Sequence, residues 1–503
     1  MLQSMKITTD PRDQFFDTKH LHDNLMERTS RATFLVYLFA IVKTLFQVGS
    51  TAVLARLISP SEYGVVALAM PAVLIAVGLA EFGLAEVMVQ RPLMTQNIAS
   101  SLFWLNLCLG LLLALAIVLL AVPAVNFYND PRVGPIFFAF GSMAILSSLV
   151  AQYIAILRRK MLIRAIEQGT FGAMACSVAI AIILAKMGAG YWAIVSQTIL
   201  TPALMLLFFF LSCRWIPSAP WRTTFSEARS SLAFGGSLAG SRLLTQIAHN
   251  LGLAIVGHSF SDVQAGLYYR TWTLANLPNT RFFGTLAGAY IHPLSRLQDD
   301  PVKFSDLFIR MILRMNLLAM PLGIFICSSA DLIVQTVLGE DWVGAEDILK
   351  WLGILSFVAP AFYGCQWSLL AIGKVKSIFY FRLFYAVSVA CAFYFGSYFG
   401  LEKMVTAFSL TLLVIVVPLA GYITIRDSSI TLRDWVDAFL FDIIFAGVAF
   451  VSLLFMRHTM IFKSAFVEIV IVSIAIGLAY LIRVLLQTKT RRIFLQSVQR
   501  IFS

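Results

Sequence analysis

The feature that most constrains this chain is a series of apolar runs, each about twenty residues long, separated by short polar connections. About fourteen are read. They cover residues 33–55, 64–84, 99–122, 134–156, 168–187, 190–212, 232–256, 266–291, 308–330, 350–371, 378–399, 402–424, 437–456 and 465–486. Each has the length a helix needs to cross a hydrocarbon core of about 30 Å. Of the 503 residues, 59% are hydrophobic and only 13% are charged, and the mean hydropathy is +0.84. A soluble chain of this size needs far more polar surface. The expected fold is therefore an all-α polytopic membrane protein.

The connections exclude several functions. None exceeds about 25 residues, so none holds a soluble catalytic domain. No Walker A sequence, metal-ligand cluster or nucleophile–base constellation is visible. The chain is expected not to be an enzyme and to need no cofactor or metal. The six cysteines are scattered without metal or redox spacing and are expected as free thiols. The net charge of +12 is read as topology before nucleic-acid binding, and no nucleic-acid partner is expected. With the N-terminus inside, the cytoplasmic connections hold most of the Lys and Arg, among them Arg158, Arg159, Lys160 and Arg164. Both ends then lie in the cytoplasm. Residues 1–31 are polar and mixed in charge, unlike a cleavable signal peptide. The basic 158–160 connection and the basic tail are expected to touch anionic lipid.

Two of the runs carry charge where charge is expensive. Arg242, Gln246 and His249 share one face of the seventh run at i, i+4 and i+7. Arg270, Arg281 and His292 follow at eleven-residue steps in the eighth. Eleven residues make three helical turns plus roughly 20°, so these three are expected on one face about 33 Å long. A mid-bilayer Arg costs at least about 2.5–3.5 kcal/mol on insertion scales, so such a strip is expected to line a watery cavity rather than face lipid. Its sign points to an anionic cargo.

An internal repeat gives the lobes. Lys43 and Gln47 in the first run match Arg242 and Gln246 in the seventh at an offset of 199, and Ser50 matches His249. The next connection ends in Ser61-Glu62-Tyr63-Gly64 in one copy and Ser261-Asp262-Val263-Gln264-Ala265-Gly266 in the other, which moves the offset to 202. A shift of six spans preserves orientation, so the repeats are parallel. The expected plan is two parallel six-helix lobes around a central cationic cavity, with two further C-terminal helices. The segments are residues 1–32 (cytoplasmic), 33–212 (first lobe), 213–231 (linker), 232–424 (second lobe), 437–486 (last two spans) and 487–503 (basic tail). Candidate substrate-binding residues are Lys43, Gln47, Arg242, Gln246, His249, Arg270 and Arg281, and Glu81 is a candidate for ion coupling. Arg56 reads as a turn-fixing residue. Glu86, Asp442 and Glu468 read as acids that couple to an ion or pair with a nearby Arg.

Several stretches in order resemble one family. They include Leu54 to Gly64 (LARLISPSEYG), Glu81-Phe-Gly-Leu84, Phe103-Trp-Leu-Asn106 and Phe127-Tyr-Asn-Asp-Pro131. Further on come Gly190-Tyr-Trp-Ala193, Gly266-Leu-Tyr-Tyr-Arg270, Pro293 to Asp300 and Leu338-Gly-Glu-Asp-Trp342. The pattern, over about 35–375, resembles the polysaccharide-transporter (oligosaccharide flippase) branch of the multidrug/oligosaccharidyl-lipid/polysaccharide exporter superfamily, most nearly its colanic acid and succinoglycan exporter group. The resemblance implies a bacterial inner-membrane flippase that translocates an undecaprenyl-pyrophosphate-linked oligosaccharide for exopolysaccharide, capsule or O-antigen synthesis by alternating access. Membrane lipids are implied partners, and polysaccharide polymerase and export machinery are the further partners it raises. Gly252 stands where the group often has Asp, His258 where a basic residue is usual and Glu81 where Asp is usual, so no coupling role is carried over to 252. The alternatives are a cation-coupled multidrug exporter of the same superfamily and a membrane-embedded glycan polymerase or ligase. The first calls for an acidic or apolar cavity, the second for a large outer loop.

Overall fold

A computed structural model of the chain describes residues 11–16, 25–80, 93–223, 246–459 and 464–486, with residues 88, 89, 91 and 243. These are overwhelmingly helical, and no strand occurs among them. Long apolar runs form helices because a helix satisfies every backbone N–H and C=O within its own segment, where lipid offers no partner. Contacts gather the chain into two compact units, Met1–Ser50 with Val65–Asn250 and Thr51–Gly64 with Leu251–Ser503.

The first unit contains most of α1 (Leu25–Ala55) and α2 (Pro60–Ala80), and all of α3 (Gln96–Leu119), α4 (Ala121–Tyr128), α5 (Val133–Arg159), α6 (Ile163–Lys186) and α7 (Tyr191–Cys213). Helix α3 packs on α5, α5 on α7, and α6 on α7. Thr95 caps α3 by accepting from the Ile98 N–H, and Asn129, in the left-handed region at φ 53°, ends α4. At the start of α3 a short 3-10 helix, Pro11–Phe16, is tied down. Asp13 Oδ1 accepts from the Gln96 N–H at 2.6 Å, and Phe16 packs edge-on against Trp215. Trp215 Nε1 in turn donates to Gln96 Oε1 at 2.7 Å, and its carbonyl accepts from the Tyr153 hydroxyl.

The second unit contains α8 (Asp262–Pro278), a five-residue π turn (Asn279–Phe283), α9 (Gly284–Arg296), α10 (Pro301–Ser328), α11 (Ala345–Leu352) and α12 (Ile354–Ala371). It continues with α13 (Val375–Ser397), α14 (Leu401–Thr411), α15 (Val417–Asp427), α16 (Leu432–Thr459) and α17 (Ala465–Leu486). Helix α10 packs on both α12 and α16, and α13 on α14. The last two helices are joined through buried charge. Arg483, fully buried on α17, donates its Nε to Asp442 Oδ1 at 2.8 Å; Asn316 Nδ2 of α10 donates to Asp442 Oδ2 at 2.7 Å. At one end of the same helices Arg457 bridges Asp331 and Glu468, each at 2.6 Å. Of the three acids read from sequence as couplers or ion-pair partners, Asp442 and Glu468 are thus ion-paired, and Glu86 lies outside the described residues.

Among the described residues twelve helical stretches are long and apolar enough to cross a membrane. They fall on the expected runs except 232–256 and 266–291. Of the former, residues 232–242, 244 and 245 lie outside the described residues, as do 224–231 of the 213–231 connection. The latter is helical, but Asn276, Asn279, Thr280 and Arg281 keep it more polar than the twelve. Side chains such as Leu45, Val451 and Phe455 are more than 60% exposed, which suits lipid as the surrounding solvent and not water. The chain is a multi-pass membrane protein.

The eighth run departs from the sequence reading in one further respect. Its face of Arg270, Arg281 and His292 assumes an unbroken α-helix, and the π turn inserts a residue between α8 and α9. Residues beyond it are rotated by about 100° relative to that reading. Pro278, which has no N–H to donate to the preceding turn, immediately precedes the π turn and accounts for its position. His292 is exposed.

Candidate functional site

In the first unit the site residues start from a lone cation. Lys43 is the only charged residue of α1 between Leu35 and Ala55, and it is 8% exposed. An ammonium ion so placed needs a partner, because desolvation of an unpaired charge costs several kcal/mol. The partner is Glu167 on α6, itself 9% exposed, with Lys43 Nζ to Glu167 Oε2 at 2.6 Å. Phe39 and Phe46, on either side of Lys43, both pack edge-on against Phe171, one turn beyond Glu167. The pair therefore sits in apolar surroundings, where each charge depends on the other.

Gln47 follows Lys43 by one turn, and its carbonyl accepts from the Ser50 hydroxyl at 2.9 Å. In the helix over 246–259, Gln246 packs on α2 at Gly78, where a methyl group would approach its amide nitrogen to 2.7 Å. The Gln246 carbonyl accepts from Asn250 Nδ2 at 2.8 Å, and His249 is partly buried. Arg242 and Glu81 lie outside the described residues.

In the second unit Arg270 belongs to a clasp that joins the end of α1 and the start of α2 to α8. Ser59 and Glu62 form one capping pair: the Glu62 carboxylate accepts from the Ser59 N–H, and the Ser59 hydroxyl accepts from the Glu62 N–H. Ser261 and Gln264 form the same reciprocal box at the start of α8. Two residues after each box comes a glycine, Gly64 or Gly266. The two helix starts cross there so closely that a Cβ on Gly64 would lie 1.8 Å from the Asp262 carbonyl oxygen, and one on Gly266 1.9 Å from that of Pro60. Boxes and glycines are all related by 202, so the contact is reciprocal. The Ser61 hydroxyl adds a 2.6 Å bond to the Asp262 carboxylate.

Tyr63 stands at the centre of the clasp. Its ring meets Trp342 edge-on, and Trp342 Nε1 donates to the Ala55 carbonyl at 3.0 Å. Arg270 lies over the Tyr63 ring, 4.6 Å from its centroid, and its Nη2 donates to the Tyr63 hydroxyl at 3.2 Å. The buried Nε of Arg270 has no hydrogen-bond partner among the described residues. Arg56 donates to the Thr336 carbonyl at 2.8 Å, which ties it to the 331–342 segment and not to the Ser-Pro-Ser-Glu turn expected from sequence. The side chain of Arg281 is outside the described residues.

Several charged side chains of the membrane helices were not singled out from the sequence, Arg483 among them. Glu167 is another. Arg314 on α10 donates to the Tyr290 hydroxyl at 3.1 Å, and Arg382 on α13 donates to Gln366 Oε1 through Nη2 at 2.7 Å and Nε at 3.1 Å. Each was visible as a charge in or beside an apolar run. At Gly252, where Asp was the family expectation, a Cβ would meet the Tyr268 hydroxyl at 2.5 Å and Phe393 at 2.6 Å, so aromatic packing fills the place of an acid. Among the described residues no group of His, Cys, Asp or Glu is arranged to hold a metal ion. What the helices do hold is cations on guanidinium and ammonium groups, the chemistry that suits phosphate oxygens.

A family model described as "Polysaccharide biosynthesis protein" matches residues 53–347. The chain is similar to the succinoglycan biosynthesis transport protein ExoT of Rhizobium meliloti (strain 1021), 22% identical over 379 residues, covering 74% of each. It is also similar to the lipopolysaccharide biosynthesis protein WzxC of Escherichia coli (strain K12), 22% identical over 339 residues, covering 66% of this chain and 68% of the relative. Among solved structures, the lipid II flippase MurJ in an inward closed conformation superposes with a TM-score of 0.69 at 15% identity, over 93% of this chain and 99% of that one. An inward-facing multidrug resistance transporter of the MATE family gives 0.62 at 15% identity, over 78% of this chain and 98% of that one.

Proposed function

Since the chain belongs to the polysaccharide biosynthesis protein family, we propose that it is a flippase that carries an undecaprenyl-pyrophosphate-linked oligosaccharide across the bacterial inner membrane for exopolysaccharide, capsule or O-antigen synthesis. The observation that carries the reading is the set of cations held inside membrane-length helices, with Lys43 in the first unit and Arg314 and Arg382 in the second. Arg270 extends the set in the more polar helix α8. A pyrophosphate is a compact polyanion, and fixed cations in a low-dielectric site hold it far more strongly than in water. A cationic drug would be repelled by the guanidinium groups of Arg314 and Arg382. Similarity to transport proteins of polysaccharide synthesis supports the cargo class; likeness to MurJ and MATE structures supports the helical fold alone.

The proposal keeps fourteen spans with both ends in the cytoplasm, and lobes at 33–212 and 232–424 that rock about a cavity shared by Lys43, Gln47, Arg242, Gln246, His249, Arg270 and Arg281, with Glu81 as a candidate for ion coupling. On that topology the Gly64–Gly266 clasp is an outer closure. Membrane lipids carry the polyprenyl tail, and a periplasmic polymerase receives the product. The test is reconstitution into vesicles holding a lipid-linked oligosaccharide in the inner leaflet, with arrival of glycan at the outer leaflet followed by lectin binding. Protein-dependent arrival is expected. Movement of ethidium without movement of glycan would replace this reading with the drug-exporter one.

A further inference from the structure

Lys43 presents a difficulty for any carrier of anions. A buried ammonium reserved for phosphate would be unpaired whenever the carrier is empty, and an unpaired charge in the bilayer is costly. The chain resolves this with its own carboxylate, since Glu167 occupies Lys43 at 2.6 Å. We infer that Glu167 is a resident counter-ion: the anionic headgroup displaces it from Lys43, and the displaced carboxylate takes up a proton. This rests on the reading of Lys43 as a headgroup-binding cation.

When a phosphate oxygen takes the place of Glu167 Oε2 on Lys43, the freed carboxylate stands a few ångströms from a second anion in apolar surroundings. At that separation two like charges repel by several kcal/mol even at an effective dielectric constant of about 20. Among the described side chains on the helices around Glu167, the other strong cations stand in the end turns. Its own helix offers Arg164 one turn away, in the membrane-end turn, and Lys186 at the far end. Helix α1 offers only Tyr37 besides Lys43 over Leu35–Ala55. Of the helices packed on α6, α7 has Tyr191 and Cys213 at its two ends, and α5 has Tyr153, Arg158 and Arg159 in its last two turns. A proton from water onto Glu167 removes the repulsion. Apart from that proton, which leaves hydroxide to the buffer, no covalent bond is made or broken: Lys43 stays an ammonium and exchanges one oxygen anion for another. Release of the headgroup reverses both steps and returns a neutral Lys43–Glu167 pair.

Proton uptake and anion binding are then linked, and linkage is reciprocal. Acid favours binding, and affinity falls by up to about tenfold per pH unit as pH rises through the range in which the uptake occurs. Substituting Glu167→Gln leaves a neutral amide that neither competes for Lys43 nor titrates.

The experiment uses the purified full-length protein in detergent and inorganic pyrophosphate as the probe. Titration calorimetry in buffers of different ionisation heat counts protons taken up on binding. The ligand's own protonation cancels in the difference between wild type and E167Q. Wild type is expected to take up about one more proton per pyrophosphate than E167Q, and E167Q to bind about tenfold tighter at pH 8. K43Q should bind at least about tenfold more weakly than wild type. The double variant K43Q/E167Q, which replaces the ion pair by two amides, guards against a folding defect in E167Q and should also lack the extra proton. Equal proton uptake by wild type and E167Q, with K43Q still weakened, would overturn the counter-ion while leaving Lys43 as a binding cation. If wild type did not bind pyrophosphate, or K43Q bound as well as wild type, the reading of Lys43 would fall and this inference with it.

Discussion

Replacing Gly64 with alanine tests the clasp directly. The Cβ would be placed 1.8 Å from the Asp262 carbonyl oxygen, and real Cβ atoms essentially never come within 3.0 Å of a neighbour. The obstacle is backbone, so it cannot rotate aside. The starts of α2 and α8 must separate by about 1.2 Å or more along that line. A shift of that size carries the 2.6 Å Ser61–Asp262 bond beyond hydrogen-bonding range. A hydrogen bond to a charged group contributes about 1.5–3 kcal/mol, so the clasp should open roughly ten- to hundredfold more often. Hydrogen exchange followed by mass spectrometry reads this as faster exchange of the amides over 55–66 and 262–270, with little change in α16. Gly49 on α1 is the control, because nothing lies within 4 Å of a Cβ there. If Gly64→Ala exchanged at the wild-type rate over both segments, the reciprocal crossing would be wrong.

Three further outcomes follow from the same geometry. Tyr63→Phe removes one hydroxyl from the clasp and should cost about 1 kcal/mol, whereas Arg270→Ala loses the ring contact too and should cost about 2 kcal/mol; Arg270→Lys should fall between them in thermal unfolding. Asp442→Leu strands Arg483 and should destabilise by about 3–5 kcal/mol, while Asp442→Leu with Arg483→Met should recover most of that loss; detergent-resistant thermal melting distinguishes the two, and a double variant no better than the single would refute the pairing. An alkaline phosphatase fused after Ser503 should be inactive and one placed within 340–347 active, and the reverse pattern would overturn the proposed orientation.

Much of the fold was legible because the bilayer fixes the length of a helix. Twelve of the expected runs coincide with membrane-length helices for that reason. The site was less legible. Lys43 was conspicuous as a lone charge in an apolar run, but its partner lies 124 residues away. The run containing that partner was read as 168–187, one residue too late to include Glu167, whereas the helix begins at Ile163. The repeat was legible in Gly64 and Gly266, but spacing along the chain does not reveal that the two glycines touch. The unbroken face drawn from Arg270 to His292 failed because Pro278 is not just another apolar residue: a missing N–H alters the periodicity on which the face was drawn. Arg314 and Arg382 were as visible as Arg270 but stand outside the eleven-residue series that singled it out.

The buried Arg483–Asp442 pair bears on how the chain is made. Each charge alone opposes partitioning of its own helix from the translocon into lipid, Asp442 more than Arg483, which stands in the last turn of α17. Together, with Asn316 of α10 completing the carboxylate's bonds, they offer lipid a nearly neutral surface. Helices α16 and α17 are therefore expected to leave the translocon as a pair that waits for α10, and not one after the other. In a chain stopped after Thr459, an alkaline phosphatase fused to that end should be less active than in the same chain with Asp442→Asn, because an α16 that fails to integrate leaves the fusion inside.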